Sequence, residues 1–477
     1  MSDHPDRPQP DHDRPDLVDR ARATRVIVVG GGIAGLTAAW ECARIGMPAV
    51  LVDAAGRLGG DIETATLDGI DVDLIAETFS LSARALGALI DQLGLREDVE
   101  PAADESVAVA APSANGIEVV TLPANRAGIP ANTWAPPVRR LIGDVGVWRA
   151  YLDRLRPPLT IGRERSLGAL VRTRMGARVR ERLVAPLTIG TWAVDPDEID
   201  ADLAVPGLSA ALTRVGSLGG AVDQLPSTRR ATLRGGLSRI VDRLAERLAL
   251  LDADVRVDTR ATSLSRTADG WALQVGNADG TAAEILTADV VVLAAGARSA
   301  TALVAPLDIS SDVAFERSAS VKRHVVTLVM DAGTSTAGPV SVYPVPGTMA
   351  AASAIDVTAA WPSIAAAAGP DRRVLRLTLH DEDPIATPIA IAAAEAAKLW
   401  PGIGAVRAAA FRPIELMPPA SALGHAERVA RMRASLAHLD GVVAVGEWLA
   451  GGGIASVVAD TVRELEHVRR DALWSRA

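Results

Sequence analysis

The chain has 477 residues, more than one small hydrophobic core accommodates, so two or three interleaved domains are expected. Hydrophobic residues make up 49% of the chain but aromatic residues only 3%, which favours an α/β protein packed with small aliphatic side chains over a β-sandwich. The formal net charge of −9 argues against nucleic acid as a partner, because no overall basic surface is available to bind it.

The first 23 residues are polar, charged and rich in proline, which predicts a disordered tail. The tail lacks the apolar core of a signal peptide. No apolar run reaches the roughly 18 residues that a membrane-spanning helix needs, and the alanine-rich stretch 385–397 contains Glu395 and predicts a packed helix. We therefore expect a cytoplasmic protein with no transmembrane anchor.

A short strand, "RVIVV" at 25–29, leads into a glycine turn, a helix and a second strand that ends on Asp53. The spaced glycines of a G-x-G-x-x-G turn permit a tight bend, close approach of a pyrophosphate, and packing of the helix on its strand. Asp53 stands where such folds place an acid that accepts hydrogen bonds from the adenosine ribose. The pattern predicts a site for an ADP-containing cofactor and does not separate NAD from FAD. The six residues of the turn are Gly30, Gly31, Gly32, Ile33, Ala34 and Gly35.

The helix after the turn contains the one cysteine of the chain, Cys42. A single cysteine excludes an intramolecular disulfide and suits a reducing compartment. Its place on the apolar side of the helix predicts a buried structural thiol. With one cysteine and seven scattered histidines, no spacing resembles a zinc site, and no metal is expected.

The next segment, "GRLGGDIETATLDGIDVDLIAETFS" at 56–80, places Arg57 and the pair Gly59–Gly60 after the second strand, then a hairpin turn at Asp68–Gly69. It resembles the second signature of the flavin amine oxidase superfamily, whose Arg-x-Gly-Gly-Arg/Lys run wraps the pyrophosphate and ribityl chain of FAD. The resemblance implies FAD as the cofactor and assigns Arg57, Gly59 and Gly60 to it. A solvated surface charge is the alternative for Arg57. Asp61 stands where the family usually has Arg or Lys.

Segments at 121–131, 166–200, 231–248 and 417–460 look like segments of bacterial coproporphyrinogen III oxidases and protoporphyrinogen oxidases, in the same order and spacing. "AETFS" at 76–80 is similar to their Gly-x-Glu/Asp-Ser-Phe stretch beside the flavin ring, which assigns Ala76, Glu77 and Thr78 to the cofactor. The resemblance extends over nearly the whole chain after residue 24.

The same resemblance returns the end of the chain to the cofactor. A strand at 442–446 is followed by a glycine turn at 451–453 and by a helix predicted to start near Ala455. In the family this turn lies under the flavin ring, and the helix dipole stabilises the negative charge of reduced flavin. Three glycines that only make a turn are the alternative. The resemblance assigns Ala261 to the adenine side of FAD, and Gly446, Glu447, Gly452, Gly453 and Ile454 to the ring side.

The chain departs from the family pattern on the substrate side of the flavin. Ile75 replaces a usual Gly, Ala455–Ser456 replace a Pro-Asp pair, and Ala420–Ser421 replace a Gln-Tyr pair. These departures bear on the substrate more than on the cofactor.

The resemblance implies an α/β fold in which a Rossmann-like FAD-binding domain carries an inserted α+β substrate-binding domain. After a tail at 1–23, the FAD-binding domain is expected from three segments, 24–105, 232–305 and 415–477, the last including the C-terminal helix. The substrate domain is expected from 106–231, which is helical, and 306–414.

The implied activity is the FAD-dependent, oxygen-dependent oxidation of coproporphyrinogen III or protoporphyrinogen IX in haem biosynthesis, with hydrogen peroxide as by-product. The implied partners are the porphyrinogen, dioxygen and, transiently, other enzymes of the haem pathway. The flavin carries the chemistry, so no catalytic side chain is assigned. Arg84, Arg172 and Arg174 are candidate partners for the substrate carboxylates, with solvated helix charges as the alternative.

Two other functions stay open at this point. One is a flavin amine oxidase or related desaturase, for which Trp448 is the candidate wall of an aromatic cage and Lys322 the candidate partner of a flavin-bound water. The alternative for Lys322 is a charge at a strand edge that discourages aggregation. The other is a non-catalytic tetrapyrrole-binding relative whose flavin site has decayed, which Ile75 and Ala455–Ser456 favour.

Overall fold

The computed structural model describes residues 17–114, 116–156, 165–227, 229–277, 283–307, 320–336, 338–381, 387–416 and 419–474. Within these ranges no helix is both long and apolar enough to cross a membrane.

The strands, in chain order, are β1 Val26–Val29, β2 Ala49–Val52, β3 Thr64–Leu67, β4 Ile70–Asp73, β5 Phe79–Ser80, β6 Val99–Pro101, β7 Val107–Ser113, β8 Gly116–Thr121, β9 Asn125–Arg126, β10 Ile129–Pro130, β11 Arg230–Leu233, β12 Asp254–Arg256, β13 Thr259–Thr267, β14 Gly270–Asn277, β15 Glu284–Ala288, β16 Val290–Leu293, β17 Val321–Asp331, β18 Ser341–Pro344, β19 Ala351–Asp356, β20 Arg372–His380, β21 Val406–Leu416 and β22 Val442–Ala444.

The α-helices are α1 Leu17–Ala23, α2 Ile33–Ala43, α3 Arg84–Gln92, α4 Pro136–Tyr151, α5 Leu167–Met175, α6 Ala177–Val179, α7 Ala185–Trp192, α8 Ala201–Ala204, α9 Leu208–Val215, α10 Leu218–Gln224, α11 Ser238–Leu250, α12 Ala297–Val304, α13 Val357–Ala360, α14 Pro362–Ala368, α15 Pro388–Leu399, α16 His425–Leu436, α17 Glu447–Ala450 and α18 Ile454–Trp474.

Five short strands form a parallel sheet in the order β12-β2-β1-β16-β22. The central strand, β1, is buried at every residue, as expected when both faces of a parallel sheet are covered. Helices α2, α3, α11 and α18 pack on one face, and the meander β13-β14-β15 packs on the other. The predicted α/β class and its Rossmann-like sheet are confirmed, and ligands in such folds bind at the carboxyl ends of the strands.

A second sheet has seven strands in the order β21-β17-β20-β19-β18-β7-β8, with all neighbours antiparallel except β18 and β7. Helix α15, which covers most of the alanine-rich stretch and buries Glu395, packs on one face. The hairpin β3–β4 packs on the other face together with α13 and α14. The hairpin therefore joins the two sheets.

The strands of the parallel sheet come from segments 24–105, 232–305 and 415–477, and those of the seven-stranded sheet come from 106–231 and 306–416. Helices α4 to α10 form a layer of their own around one apolar core. Chain segments that are distant in sequence thus lie side by side in each layer.

The N-terminal tail is shorter than predicted. Disorder was expected through residue 23, but Leu17–Ala23 form α1, because Ala21 is buried against the body of the protein and Arg20 donates a hydrogen bond of 3.1 Å to the carbonyl of Leu473. Residues 1–16 lie outside the described part of the chain.

Cys42 is fully buried in α2, and burial raises the pKa of its thiol to about 12. Such a thiol is almost entirely protonated at neutral pH and does not react as a thiolate. This supports a structural role. Among the described residues, no group of three or more His, Cys, Asp or Glu side chains could hold a metal ion.

Candidate cofactor site

The first glycine turn leaves β1 at Gly30, whose φ of 112° lies in the left-handed region that favours glycine. A Cβ atom added to Gly30 would lie 2.7 Å from the backbone of Ala294 on the neighbouring strand connection. A Cβ added to Gly35 would lie 1.7 Å from the carbonyl oxygen of Gly30. Gly30 is therefore required by the turn beside Ala294, and Gly35 by the packing of α2 against the backbone that leaves β1.

Gly32 is different, because the protein leaves open space beside it. A Cβ added there would meet only the Cα of Gly60, at 4.0 Å. Gly32 is also the N-cap of α2, an 11-residue helix whose first turn has no side-chain cap. Open space beside uncapped helix amides suits a bound phosphate group.

The Asp53 side chain links the first glycine turn to the end of β2 by hydrogen bonds. One carboxylate oxygen accepts a short hydrogen bond from the backbone N–H of Gly31, and the other accepts one of 2.7 Å from Ala55. The backbone carbonyl of Asp53 accepts a hydrogen bond of 2.7 Å from Thr259 at the start of β13. This contact brings Ala261, two residues further along, toward the same end of the sheet.

The second glycine pair lies directly against the first turn. Gly59 donates a hydrogen bond of 2.8 Å to the carbonyl of Gly31, and Gly32 and Gly59 form a parallel bridge. Gly59 and Gly60 both have positive φ angles, 106° and 59°. The two sequence signatures therefore form one continuous wall, in which Gly32 faces Gly60.

The guanidinium of Arg57 folds back over its own loop. It donates hydrogen bonds of 2.7 Å to the carbonyl of Gly60 and 3.2 Å to that of Ile62, and it forms an ion pair of 3.2 Å with Glu63. Its side chain stays 46% exposed. Arg57 thus fixes the loop that carries the second glycine pair, and its outer surface remains accessible.

Two carboxyl groups, those of Asp61 and Glu447, connect this wall to the C-terminal glycine segment. Asp61 accepts a hydrogen bond of 3.2 Å at its carbonyl from Ala76, and its carboxylate acts electrostatically on Glu447. A Cβ added to Gly452 would lie 3.3 Å from a carboxyl oxygen of Glu447. The near and far glycine segments are therefore contiguous, as the sequence predicts.

These two carboxyl groups titrate unusually. The surrounding protein removes hydration from Asp61 and raises its pKa, which Arg57 opposes. Burial, and secondly the charge of Asp61, raise the pKa of Glu447 to about 7. At neutral pH Glu447 is therefore a mixture of its protonated and ionised forms.

The three glycines of the turn at 451–453 have different surroundings. Gly451 contacts the protein itself, because a Cβ there would lie 2.3 Å from the backbone nitrogen of Ala420. Gly453 has a φ of 98° and no other atom within 4 Å of an added Cβ. Helix α18 begins at the next residue, Ile454, and runs for 21 residues. Open backbone at a helix N-terminus occurs here for the second time in the same cleft.

Glu77 lies in the expected segment but has a structural partner. Its carboxylate forms a buried ion pair with Arg376 of β20, and Arg376 also donates a hydrogen bond of 2.6 Å to the carbonyl of Asp73. The two side chains are 11% and 7% exposed. Sequence reasoning missed Arg376, although an arginine within the apolar pattern of β20 was a signal for a buried charge.

The candidate arginines for substrate occupy separate settings. Arg84 is exposed at the start of α3, and Arg172 on α5 forms an ion pair of 3.2 Å with Asp197. Arg174 is 2% exposed and pairs with Asp153 beneath the helical layer. Arg174 therefore stabilises the helical layer and is not a candidate for binding the substrate.

Sequence reasoning also missed Arg323 on β17. It is 8% exposed, and it donates a hydrogen bond of 3.1 Å to the carbonyl of Lys322. No carboxylate of the described residues lies at ion-pair distance from it, and burial lowers its pKa. A buried cation needs a negative partner, so Arg323 is a candidate for binding an anionic group. Lys322 itself is exposed at the start of the strand.

Trp448 does not form the wall of an aromatic cage. Its side chain is buried, and the indole N–H donates a hydrogen bond of 3.0 Å to the carbonyl of Ala295. The two tyrosines of the chain, Tyr151 and Tyr343, lie on α4 and β18. That arrangement removes the one residue that favoured an amine oxidase cage.

The residues present fit FAD. The cleft offers open backbone at Gly32 for the pyrophosphate and at Gly453 near a second helix N-terminus. Between these points lie Arg57 and the two carboxyl groups, Asp61 and Glu447, which can accept hydrogen bonds from hydroxyl groups.

Comparison with known proteins agrees with this geometry. Residues 33–325 match the family described as flavin containing amine oxidoreductase. The chain is 28% identical to the coproporphyrinogen III oxidase of Mycobacterium leprae, over 93% of this chain and 98% of that protein. It is 26% identical to that of Propionibacterium freudenreichii subsp. freudenreichii, where the match spans 59% of this chain and 58% of that protein.

Solved structures share the whole fold. A protein from Exiguobacterium sp. 255-15, provisionally named protoporphyrinogen oxidase, superposes with a TM-score of 0.81 at 22% identity, over 94% of this chain and 99% of that one. Reduced UDP-galactopyranose mutase superposes with a TM-score of 0.70 at 13% identity, over 95% and 96%. The family match covers more than half of the chain, and the cleft is built for the cofactor of that family. The chain thus belongs to the flavin containing amine oxidoreductase family and is an FAD-dependent oxidoreductase.

Proposed function

We propose that this protein oxidises a porphyrinogen to a porphyrin in haem biosynthesis, with coproporphyrinogen III as the preferred substrate. The observation that carries the proposal is the similarity to the coproporphyrinogen III oxidase of M. leprae along 93% of the chain. Dioxygen as the final acceptor, hydrogen peroxide as by-product, a cytoplasmic location and transient contact with other haem-pathway enzymes belong to the same proposal.

In this proposal FAD accepts two electrons at a time from the tetrapyrrole, and the protein binds, orients and shields the two ring systems. The residues proposed to hold FAD are those assigned from the sequence, and the glycine turns described above support the set. They are Gly30, Gly31, Gly32, Ile33, Ala34, Gly35, Asp53, Arg57, Gly59, Gly60, Ala76, Glu77, Thr78, Ala261, Gly446, Glu447, Gly452, Gly453 and Ile454. Glu77 contributes its backbone, because its carboxylate is held by Arg376.

We divide the chain between two proposed domains. Segments 24–105, 232–305 and 415–477 form the FAD-binding domain, and 106–231 with 306–414 form the substrate domain. This division places Arg323 and Arg172 in the substrate domain and Arg84 in the FAD-binding domain. All three are proposed partners for the carboxylate groups of the substrate.

Arg323 is the strongest of the three, because it is buried and has no carboxylate partner among the described residues. Each desolvated hydrogen bond to a charged group is worth about 1.5–3 kcal/mol. Arg323→Met should therefore raise KM for coproporphyrinogen III about tenfold or more with little change in kcat. Arg298→Met, an exposed arginine on α12, is the matched control and should leave KM unchanged.

The test of the function is a porphyrin fluorescence assay on the purified yellow protein. Coproporphyrinogen III should give coproporphyrin III faster than the spontaneous reaction, with hydrogen peroxide released and with no reaction from Gly32→Val. Oxidation of an amine panel without porphyrin formation would assign the protein to amine oxidation. Bound flavin that turns over neither substrate class would favour a non-catalytic tetrapyrrole-binding relative.

A further inference from the structure

Helix α4 carries an apolar face that points away from the protein. The helix breaks at Gly143, where φ is 68°. Beyond this break, Val145 and Trp148 lie on the rest of the helix, and Leu152 and Leu155 lie on the 3-10 turn Leu152–Leu155 that follows it. All four are strongly exposed, at 72%, 60%, 45% and 75% respectively. We call these four residues the outer stripe. The opposite face of the helix, with Val147 and Ala150, is buried, so this element has two apolar faces.

Aromatic side chains enlarge the outer stripe. Trp134, Trp148 and Tyr151 contact one another edge to face, with ring centroids 4.9, 5.9 and 6.3 Å apart. The guanidinium of Arg154 lies 5.6 Å above the Tyr151 ring. The chain has only 9 Trp, 2 Tyr and 3 Phe residues, and three of these share one surface. Clustered exposed Trp, Tyr and Arg side chains are typical of the centre of a protein interface.

The two ends of the outer stripe differ in charge. At its start, Arg139 pairs with Asp144 and Arg140 pairs with Glu118 at 3.3 Å, so the charges balance. At its end, Arg154 and Arg156 are exposed, and no carboxylate of the described residues pairs with them. The one acidic residue there, Asp153, is buried and paired with Arg174. The stripe therefore runs from a neutral end that offers a carboxylate to a cationic end.

We propose that the outer stripe is the contact surface of a two-fold symmetric dimer, in which the α4 helices of two copies pack antiparallel with Trp148 near the axis. A two-fold interface requires one surface to complement itself. The antiparallel arrangement places Arg154 of one copy beside Asp144 of the other. Arg154 lies six residues from Trp148, so at 1.5 Å per residue the cationic ends of the two copies are about 18 Å or more apart, which exceeds the Debye length of roughly 8 Å.

A second copy fits this surface better than an anionic lipid bilayer does. Recruitment to a bilayer depends on clusters of 4–8 basic residues that are free to face the headgroups. Here Arg139 and Arg140 are already paired with carboxylates. The net charge of −9 would further oppose an anionic surface.

The first experiment is analytical ultracentrifugation of the full chain as purified. At about 10 μM the wild type should sediment as twice its mass of 49.5 kDa. Trp148→Glu should sediment as the monomer, with an unchanged thermal midpoint and flavin content. Trp474→Glu is the matched control, because Trp474 is 66% exposed but lies at the end of α18, and it should stay dimeric.

The second experiment exchanges charges across the proposed axis. Asp144→Arg and Arg154→Glu should each weaken the dimer about tenfold, and the double variant should restore it to within about threefold of the wild type. A monomeric wild type, or a dimer that Trp148→Glu leaves intact, would overturn the proposal. So would a monomer that sediments with phosphatidylglycerol vesicles only when Trp148 is present, which would assign the stripe to lipid. None of these outcomes depends on the catalytic assay.

Discussion

Glycine at position 32 is required by nothing in the protein itself. Its φ of −72° is accessible to any residue, and an added Cβ meets only one atom, at 4.0 Å. We propose that the cofactor explains the residue type, because its pyrophosphate would need the space that a side chain would fill. Positions 30 and 35 carry glycine for the opposite reason, since the backbone already fills the space of their side chains.

This contrast predicts that Gly32→Val separates cofactor binding from folding. The variant should purify colourless and fail to take up FAD, while the thermal midpoint of its apoprotein stays within a few degrees of the wild-type apoprotein. Gly87→Ala is the control, because Gly87 lies in α3 with no neighbour within 4 Å; it should retain FAD. Loss of folding in Gly32→Val, or FAD bound at wild-type stoichiometry, would contradict the assignment.

Glu447 gives the apoprotein a predictable response to pH. Its pKa is raised to about 7 from an ordinary value of 4.5, so the folded state keeps a proton that the unfolded state has lost between these values. The stabilising effect of that proton is complete below about pH 4.5 and is lost as pH rises through about 7. Glu447→Gln should remove this component. The thermal midpoint of the variant should therefore rise relative to that of the wild type as the pH increases from 5 to 8.

The measurement is the thermal midpoint of both apoproteins at each pH, because Asp73 and other groups contribute equally to the two curves. Glu246→Gln, an exposed change on α11, is the control and should follow the wild type at every pH. A constant difference between Glu447→Gln and the wild type from pH 5 to pH 8 would show that Glu447 is already ionised at low pH.

At the scale of elements, the residues that flank the hairpin β3–β4 connect the two sheets through charged pairs. Glu63 pairs with Arg412 of β21, and Glu77 pairs with Arg376 of β20. The second pair is the more buried, and removing one partner of a buried pair typically costs about 3–5 kcal/mol. The cofactor cleft depends on these links, since both acidic residues flank its glycine and alanine backbone.

A double-mutant cycle tests the link. Arg376→Met and Glu77→Gln should each destabilise the protein by about 3–5 kcal/mol in urea, and the double variant should cost clearly less than the sum. Arg407→Met, which removes an exposed pair with Asp331, should cost less than about 1 kcal/mol. Additive effects of the two core variants would mean that the side chains act independently.

Local patterns predicted the elements around the cofactor, and long-range contacts decided what was missed. Asp68 and Gly69 make a two-residue turn with positive φ at both positions, which the Asp-Gly pair alone indicates. Glu77 was assigned to the cofactor from the resemblance of 76–80 to the family's stretch beside the flavin ring. Its ion-pair partner Arg376 was missed, because it lies 299 residues away and no local pattern reveals it. Arg174 was predicted as a partner for the substrate carboxylates, with a solvated helix charge as the alternative. Its buried pair with Asp153 was missed because it forms only when the helices pack.

At the scale of the whole molecule, the charge of the substrate should decide which porphyrinogen is oxidised more efficiently. Coproporphyrinogen III carries four carboxylates and protoporphyrinogen IX carries two, so arginines of the substrate domain favour the first. We predict a higher kcat/KM for coproporphyrinogen III, with a ratio that falls as salt screens the exposed arginines. Rates for both substrates at low and high ionic strength provide the test. Equal or reversed preference at low salt would point to the dicarboxylate substrate.

The order of strands in the parallel sheet has a consequence for biosynthesis. β1 and β2 carry the first glycine turn, but their sheet is complete only when β22 is added, nearly 400 residues later. At about 5–20 residues per second, the ribosome needs roughly 20–80 s to bridge that interval. Throughout it the valine-rich strands around Gly32 lack their final neighbours, and the wall formed by Glu447 and Gly453 does not exist. We therefore expect nascent chains to depend on chaperones during this interval and to capture FAD only after the last helix has left the ribosome.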